Sequence, residues 1–210
     1  MTAKVYIVDD EQAIRDGLSW LFESCGIQAE TFASGEAFLD TYHPDLAGCL
    51  LLDVRMTGMT GLELFERLQQ SGCALPVIFL SGHGDIPMAV AAIHGGAVDF
   101  IEKPASDNQL VEKVADCLRR DEERRQQMAV AETFRARLHA LTSREVEVMN
   151  LILAGRLNKN IADELNISMR TVEVHRARVL EKMGVNSAVE LAQALAAHEA
   201  LELRQGTQKN

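Results

Sequence analysis

Five polar side chains carry the chemistry that can be read from this sequence of 210 residues. Short apolar runs end, in chain order, in Asp9 and Asp10, in Asp53, in Ser81 and, after a fifth run, in Lys103. If these runs are parallel strands, their carboxyl ends share one sheet edge, the edge where ligands of such sheets bind. Three carboxylates, a hydroxyl and an ammonium then meet in one place. Unpaired carboxylates repel at short range, so the set calls for a cation. Oxygen-only ligands and an open rim favour Mg²⁺, which takes a few carboxylates and keeps water. The metal and Lys103 together suit a phosphoryl group, whose charge is spread over three oxygens, and Ser81 can donate a hydrogen bond to it. No histidine or cysteine is placed to act as nucleophile, which leaves a carboxylate, with Asp53 the candidate. Singly, each residue has an ordinary explanation as a helix cap or a turn residue; five strand ends in this order are hard to reach by chance.

The elements that must position these groups alternate. Strands are expected at residues 5–8, 28–32, 50–52, 77–80 and 100–101, and helices at 11–24, 35–41, 61–70 and 88–94. Ser106 with Gln109 forms a capping box that opens a fifth helix. The apolar run at 50–52 has no alternation, as expected of a strand covered on both faces. Five strands alternating with five helices imply a parallel sheet with helices on both faces. The stretch 119–127 (RRDEERRQQ) is polar all round and reads as a solvated helical linker.

The last third is helical throughout. Thr142 with Glu145 is a second capping box, whose helix stops at Gly155. A short helix at 158–165, a tight turn with Ser168 as N-cap, a longer helix at 169–183 ended by Gly184 and a last helix at 187–197 follow, with a frayed tail after 203. Helix, short helix, turn and helix is the helix-turn-helix order. On the 169–183 helix, Val172, Val179, Leu180 and Met183 share one face, with Arg176 at its edge. Arg170, Val174, Ala177, Arg178 and Glu181 share the other, with Glu173 at its margin. A small apolar side chain between arginines is what contact with a thymine methyl needs, although a harmless surface valine looks the same.

Composition narrows the field. Residues 1–121 hold 8 Lys/Arg against 19 Asp/Glu, whereas residues 122–210 hold 13 against 12, so the net charge of −10 must not be averaged over both. The longest apolar run is six residues, far short of the ~20 that cross a bilayer. The N-terminus is not a secretory signal, and Cys25, Cys49, Cys73 and Cys117 read as reduced thiols in a cytoplasmic protein.

The segments Val8-Asp9-Asp10-Glu11, Leu52-Asp53-Val54-Arg55-Met56, Ser81-Gly82-His83-Gly84-Asp85 and Asp99-Phe100-Ile101-Glu102-Lys103-Pro104 resemble the receiver domain of two-component response regulators. Residues 82–104 look most like the FixJ-type receivers. The resemblance implies a flavodoxin-like (βα)5 fold and an Asp53 that takes phosphate from a phosphohistidine on a sensor histidine kinase. It implies that Asp10, Asp53 and the carbonyl of Arg55 hold Mg²⁺, with Asp9 reaching it through water. Lys103 would pair with the phosphate, and its bond to Pro104 would be cis. Ser81 and Phe100 match the family's switch pair, and Arg55 and His83 stand where the family tunes hydrolysis. One departure is Thr57, where proline is usual; it is expected to loosen the loop after Asp53 and to touch none of the predicted ligands.

Leu141-Thr142-Ser143-Arg144-Glu145, Asn158-Lys159-Asn160-Ile161-Ala162 and the segment from Ile167 to Arg176 resemble the LuxR/NarL-type helix-turn-helix. By that resemblance Glu173, Val174 and Ala177 face bases in the major groove, and Lys159, Arg170, Thr171, His175 and Arg178 hold the backbone. Lys182 is a further basic candidate for phosphate binding. The expected architecture is α/β plus all-α: a receiver at 1–120, a helical linker at 121–137 and a four-helix DNA-binding domain at 138–203. The expected function is a transcription factor, not an enzyme, that is phosphorylated on Asp53 with Mg²⁺, forms a homodimer and binds double-stranded promoter DNA. RNA polymerase is a further partner, and no membrane is involved. A phosphatase with an aspartyl intermediate would need a second acid two residues after Asp53, where Arg55 stands. An RNA-binding antiterminator lacks a reason for Val174 between arginines, and a small-molecule sensor lacks one for the acid set.

Overall fold

Strands β1 (Lys4–Val8), β2 (Ala29–Phe32), β3 (Gly48–Asp53), β4 (Val77–Ser81) and β5 (Asp99–Glu102) lie parallel in the order β2-β1-β3-β4-β5. Between them run α1 (Gln12–Ser24), α2 (Gly35–Thr41), α3 (Gly61–Gln70) and α4 (Ile86–His94), and α5 (Asp107–His139) follows. The order is the flavodoxin-like, doubly wound one expected. This computed structural model describes residues 3–82 and 86–207. Its contacts divide the chain into two units, Met1–Arg125 and Gln126–Asn210.

Period-two alternation builds the two layers of the first unit. Tyr6, Val8, Leu50, Leu52, Val77 and Phe79 point to one face of the sheet, where they meet Phe38 of α2, Leu64, Phe65 and Leu68 of α3 and Ala92 of α4. Val5, Ile7, Cys49, Leu51, Ile78, Leu80 and Ile101 point to the other, against Phe22 of α1 and Leu110, Val114 and Cys117 of α5. Every residue of β3 is buried. Covering both faces costs the sheet its wet side and makes β3 a run without polar alternation, and each large side chain buried there contributes about 1.5–3 kcal/mol.

Helix α5 runs for 33 residues, about 50 Å, because nothing in its sequence breaks it: residues 107–139 hold neither glycine nor proline. The stretch read as a solvated linker is not wholly solvated. Asp121 is 2% exposed and accepts a hydrogen bond from the Gly48 amide at 3.0 Å. Arg125 donates to the carbonyl of Asp45 at 2.9 Å. Gly48 has φ 145°, and a Cβ there would lie 1.9 Å from the Lys4 carbonyl, so only glycine lets this amide reach Asp121.

The second unit holds α6 (Ser143–Leu153), α7 (Asn158–Leu165), α8 (Met169–Met183) and α9 (Ala188–Thr207). Val148, Met149, Ile152, Ile161, Val172, Val179, Met183 and Leu191 form its core. Both halves of the Thr142/Glu145 capping box are present, and Gly184 ends α8 in the left-handed conformation. Helix α9 extends ten residues past the expected end at 197; within that extension His198 is buried, its ring centroid 4.8 Å from that of Phe134 and tilted to it. Among the described residues no helix is long and apolar enough to cross a membrane.

Candidate functional site

Parallel strands deliver their carboxyl ends to one edge, and the sequence places an acid, a hydroxyl or an ammonium at each of four ends. Asp9 follows β1, Asp53 ends β3, Ser81 ends β4 and Lys103 follows β5. Asp9, Asp53 and Ser81 are buried. Lys103 draws the set together: its ammonium donates to Asp9 Oδ2 at 2.7 Å and to Asp53 Oδ1 at 2.6 Å. The remaining oxygens are satisfied locally, Asp9 Oδ1 by the Glu11 amide at 2.9 Å and Asp53 Oδ2 by the Arg55 amide at 2.8 Å. Gly61 opens α3 hard against the site, where a Cβ would lie 2.0 Å from the Asp53 carbonyl. The Lys103–Pro104 bond is cis.

Burial pushes the Asp53 carboxyl above its ordinary range, by more than the hydrogen bond from Lys103 pulls it down. Burial also acts against the Lys103 ammonium, but its hydrogen bonds to Asp53 and Asp9 outweigh that and raise it overall. Lys103 therefore stays charged at neutral pH. Two carboxylates against one ammonium leave the pocket net negative, and the donors are all oxygens, which fits a hard divalent cation. Arg55 is exposed, and its amide is the group bound to Asp53.

Asp10 does not join this pair. Its Oδ2 accepts hydrogen bonds from the Thr57 amide at 2.8 Å and the Thr57 hydroxyl at 2.7 Å. These two bonds hold the Asp10 carboxyl below the usual range, the hydroxyl contributing more than the amide. Thr57 was expected to touch none of the predicted ligands; that expectation is corrected here, because a threonine amide donates where a proline could not. Among the described residues no three His, Cys, Asp or Glu side chains are grouped to hold a metal ion as they stand.

The site has one further member that periodicity does not reveal. Arg15, on α1, is buried and donates from Nη1 to the Asp9 carbonyl at 2.7 Å. Its only signal in the sequence is a charge one helical turn beyond the acid pair, which describes many surface arginines as well. Phe100 is half-buried, with its ring 6.2 Å from that of Phe79. His83 lies outside the described residues.

In the second unit the turn is built locally. Asn166 takes φ 52° after α7, and Ser168 caps α8 by accepting from the Thr171 amide at 3.1 Å. Helix α8 then shows the two faces that its periodicity implies. Val172, Val179 and Met183 are buried, while Arg170, Glu173, Val174, Ala177 and Arg178 are exposed, Val174 by 45%. Lys159 is exposed on α7. Thr171 is half-buried, with its hydroxyl 2.8 Å from that of Ser168. His175 is half-buried, and its Nδ1 is enclosed with no hydrogen-bond partner among the described residues.

Lys182, at the end of α8, also has partners within the unit. Its ammonium donates to Glu145 Oε2 at 2.6 Å and to the Ala140 carbonyl at 3.0 Å, so it clamps α8 to the start of α6. Glu145 is 2% exposed, so this ion pair lies at the edge of the core. Arg137 and Arg144 donate to the carbonyls of Met183 at 3.0 Å and Leu165 at 2.5 Å, at helix C-termini, where a cation is favoured.

Two family descriptions match the chain: "Response regulator receiver domain" over residues 5–115 and "Bacterial regulatory proteins, luxR family" over residues 139–195. The C4-dicarboxylate transport transcriptional regulatory protein DctR of Rhodobacter capsulatus is 47% identical over 194 residues, covering 91% of this chain and 98% of its own length. The transcriptional regulatory protein FixJ of Bradyrhizobium diazoefficiens is 42% identical over 193 residues, covering 91% and 94%. Among solved structures, the response regulator StyR matches with TM-score 0.89 at 38% identity over 93% of this chain and 99% of that one. Full-length FixJ from B. japonicum matches with TM-score 0.58 at 40% identity over 95% and 98%. Both halves of the chain are covered by these matches, and the chain belongs to the two-component response regulators as a transcription factor with a LuxR-type DNA-binding domain.

Proposed function

We propose that Asp53 is the phosphoryl acceptor and that its phosphorylation by a sensor histidine kinase drives dimerisation and promoter binding. The observation that carries this reading is Lys103, whose ammonium sits 2.6 Å from Asp53 and 2.7 Å from Asp9. In the transfer step an Asp53 carboxylate oxygen attacks the phosphorus of the phosphohistidine. The P–N bond breaks, and its electron pair leaves on the imidazole nitrogen, which takes up a proton. Lys103 then pairs with the phosphoryl oxygens, and Ser81 donates a hydrogen bond to them. Asp9, Asp10, Asp53 and the Arg55 carbonyl would hold Mg²⁺, which supplies charge neutralisation of the transferring group when bound. As Ser81 moves onto the phosphate, Phe100 turns inward, so the change is felt on the surface of α4 and β5. Val90 and Ile93 of α4, and Val98 in the segment that leads into β5, are exposed apolar side chains suited to a second copy of the receiver.

In the DNA-binding unit, Glu173, Val174 and Ala177 face base edges, and Lys159, Arg170, Thr171, His175 and Arg178 hold the sugar-phosphate backbone. Pairing of two receivers brings two such units onto a two-fold site, so a modest gain at one interface multiplies at the other. The domain limits we assign are 1–120, 121–137 and 138–203. The chain works in the cytoplasm, where promoter DNA and RNA polymerase are its partners.

The test is beryllofluoride with Mg²⁺, which mimics the acyl phosphate. Sedimentation of the full chain should shift from monomer to dimer, and affinity for promoter fragments selected from the source genome should rise with it. No change in either quantity overturns the reading. Arg178→Ala should weaken binding to all sequences alike and lower the slope of log affinity against log salt by about 1. An unchanged slope removes Arg178 from the phosphate contacts.

A further inference from the structure

Thr57 has no part in the chemistry above, yet it holds one of the carboxylates on which that chemistry depends. Lys103 places Asp9 and Asp53 side by side, both within 2.7 Å of one ammonium. Asp10, the next residue after Asp9, is instead tied across to the loop that follows β3, by the amide and the hydroxyl of Thr57. We propose that Thr57 is a latch on the cation site: it holds Asp10 away from Asp9 and Asp53, and Mg²⁺ binds only as that latch opens. Thr57 thereby sets the affinity of the pocket for the ion. The inference rests on the reading that Mg²⁺ binds in this pocket.

Three features support a latch over a mere surface contact. Both bonds end on the same oxygen, Asp10 Oδ2, and both are to an ionised group, the class of hydrogen bond that is strongest and most directional. Asp10 is half-buried and Thr57 is exposed, so the carboxylate can swing between partners without unpacking the core. The acids also fall short of a three-carboxylate cluster among the described residues, as expected if one of them is held back. Whatever free energy the two bonds contribute must be returned when Asp10 turns to the ion. The apparent affinity for Mg²⁺ is lowered by that amount, because the binding-competent pocket is only a fraction of the population. Opening also releases the Thr57 amide, so cation binding loosens the segment between Asp53 and α3.

Thr57 acts here as a positioning residue, and the readout is the ion itself. Calorimetric titration of the full chain with MgCl₂ should show Thr57→Ala, which deletes the hydroxyl bond and keeps the amide, binding about tenfold more tightly than wild type. Thr57→Ser restores the hydroxyl and should return to the wild-type affinity, and Asp10→Asn should bind much more weakly. Hydrogen exchange should find the Thr57 amide protected without the cation and faster-exchanging with it. A Thr57→Ala affinity that is unchanged or weaker overturns the latch, since Asp10 would then bind the ion through Oδ1 while Oδ2 stays on Thr57. So does an amide that remains protected at saturating Mg²⁺. Absence of Mg²⁺ uptake by the wild type overturns the metal reading of the pocket, a result separable from either of these.

Discussion

Asp53→Asn should reduce labelling by a small phosphodonor such as acetyl phosphate, in the presence of Mg²⁺, to background. Asparagine matches aspartate in shape, so it can keep the hydrogen bond from the Arg55 amide and leave β3, which is buried along its length, undisturbed. What it loses is the anionic oxygen that faces Lys103 and that would attack phosphorus. Lys103 keeps Asp9 as a partner, so its ammonium is not orphaned and the fold should survive. The measurement is incorporated phosphate per chain, with an unfolding curve as control. Labelling at full stoichiometry in a folded Asp53→Asn variant would move the acceptor to another carboxylate. The same variant should fail to dimerise when wild type does.

The second large effect belongs to the DNA-binding unit and to Glu145. This carboxylate is almost fully enclosed and accepts from Lys182 at 2.6 Å and from the Thr142 amide at 2.8 Å. The hydrogen bond from Lys182, then the one from the Thr142 backbone, pulls its pKa down to about 2 from the ordinary glutamate value. The folded state thus binds its proton later than the unfolded chain does. Its stabilisation is complete at any pH above the unfolded value of ~4.3 and is lost progressively as pH falls toward 2. Glu145→Gln should cost about 2 kcal/mol at neutral pH, because Lys182 and a capped helix start lose a charged partner at once. Amide exchange in α6 and α8 of the full chain reads this locally, since Trp20, the single tryptophan, reports the other unit. The gap between wild type and variant should close between pH ~4.3 and 2. Lys182→Ala should cost a similar amount and add little to Glu145→Gln, the non-additivity of a shared bond. A gap that persists at low pH, or full additivity, would contradict the pairing.

Much of this protein is written in short-range pattern. The alternation that sends Val5 and Ile7 to one face and Tyr6 and Val8 to the other is a two-residue property. That Asp9, Asp53, Ser81 and Lys103 arrive at one edge follows from the alternation of strands with helices along the whole first unit, because strands joined through helices run parallel and all end on the same side. The two faces of α8 and the capping box at Thr142 need no more than one or two helical turns of sequence. The strand alternation, the helix faces and the cap each follow from backbone geometry that repeats within a few residues.

The partner of each charge was not legible in this way. Lys182 finds Glu145 across 37 residues, Thr57 finds Asp10 across 47, and Gly48 finds Asp121 across 73. In sequence Lys182 looks like one more basic residue beside a reading helix, Thr57 like a slack loop position and Asp121 like part of a wet linker. Hydrogen bonds and ion pairs act over about 3 Å and depend on direction. The chain dictates which groups are on offer, but only the packed fold brings distant segments close enough to decide which donor meets which acceptor.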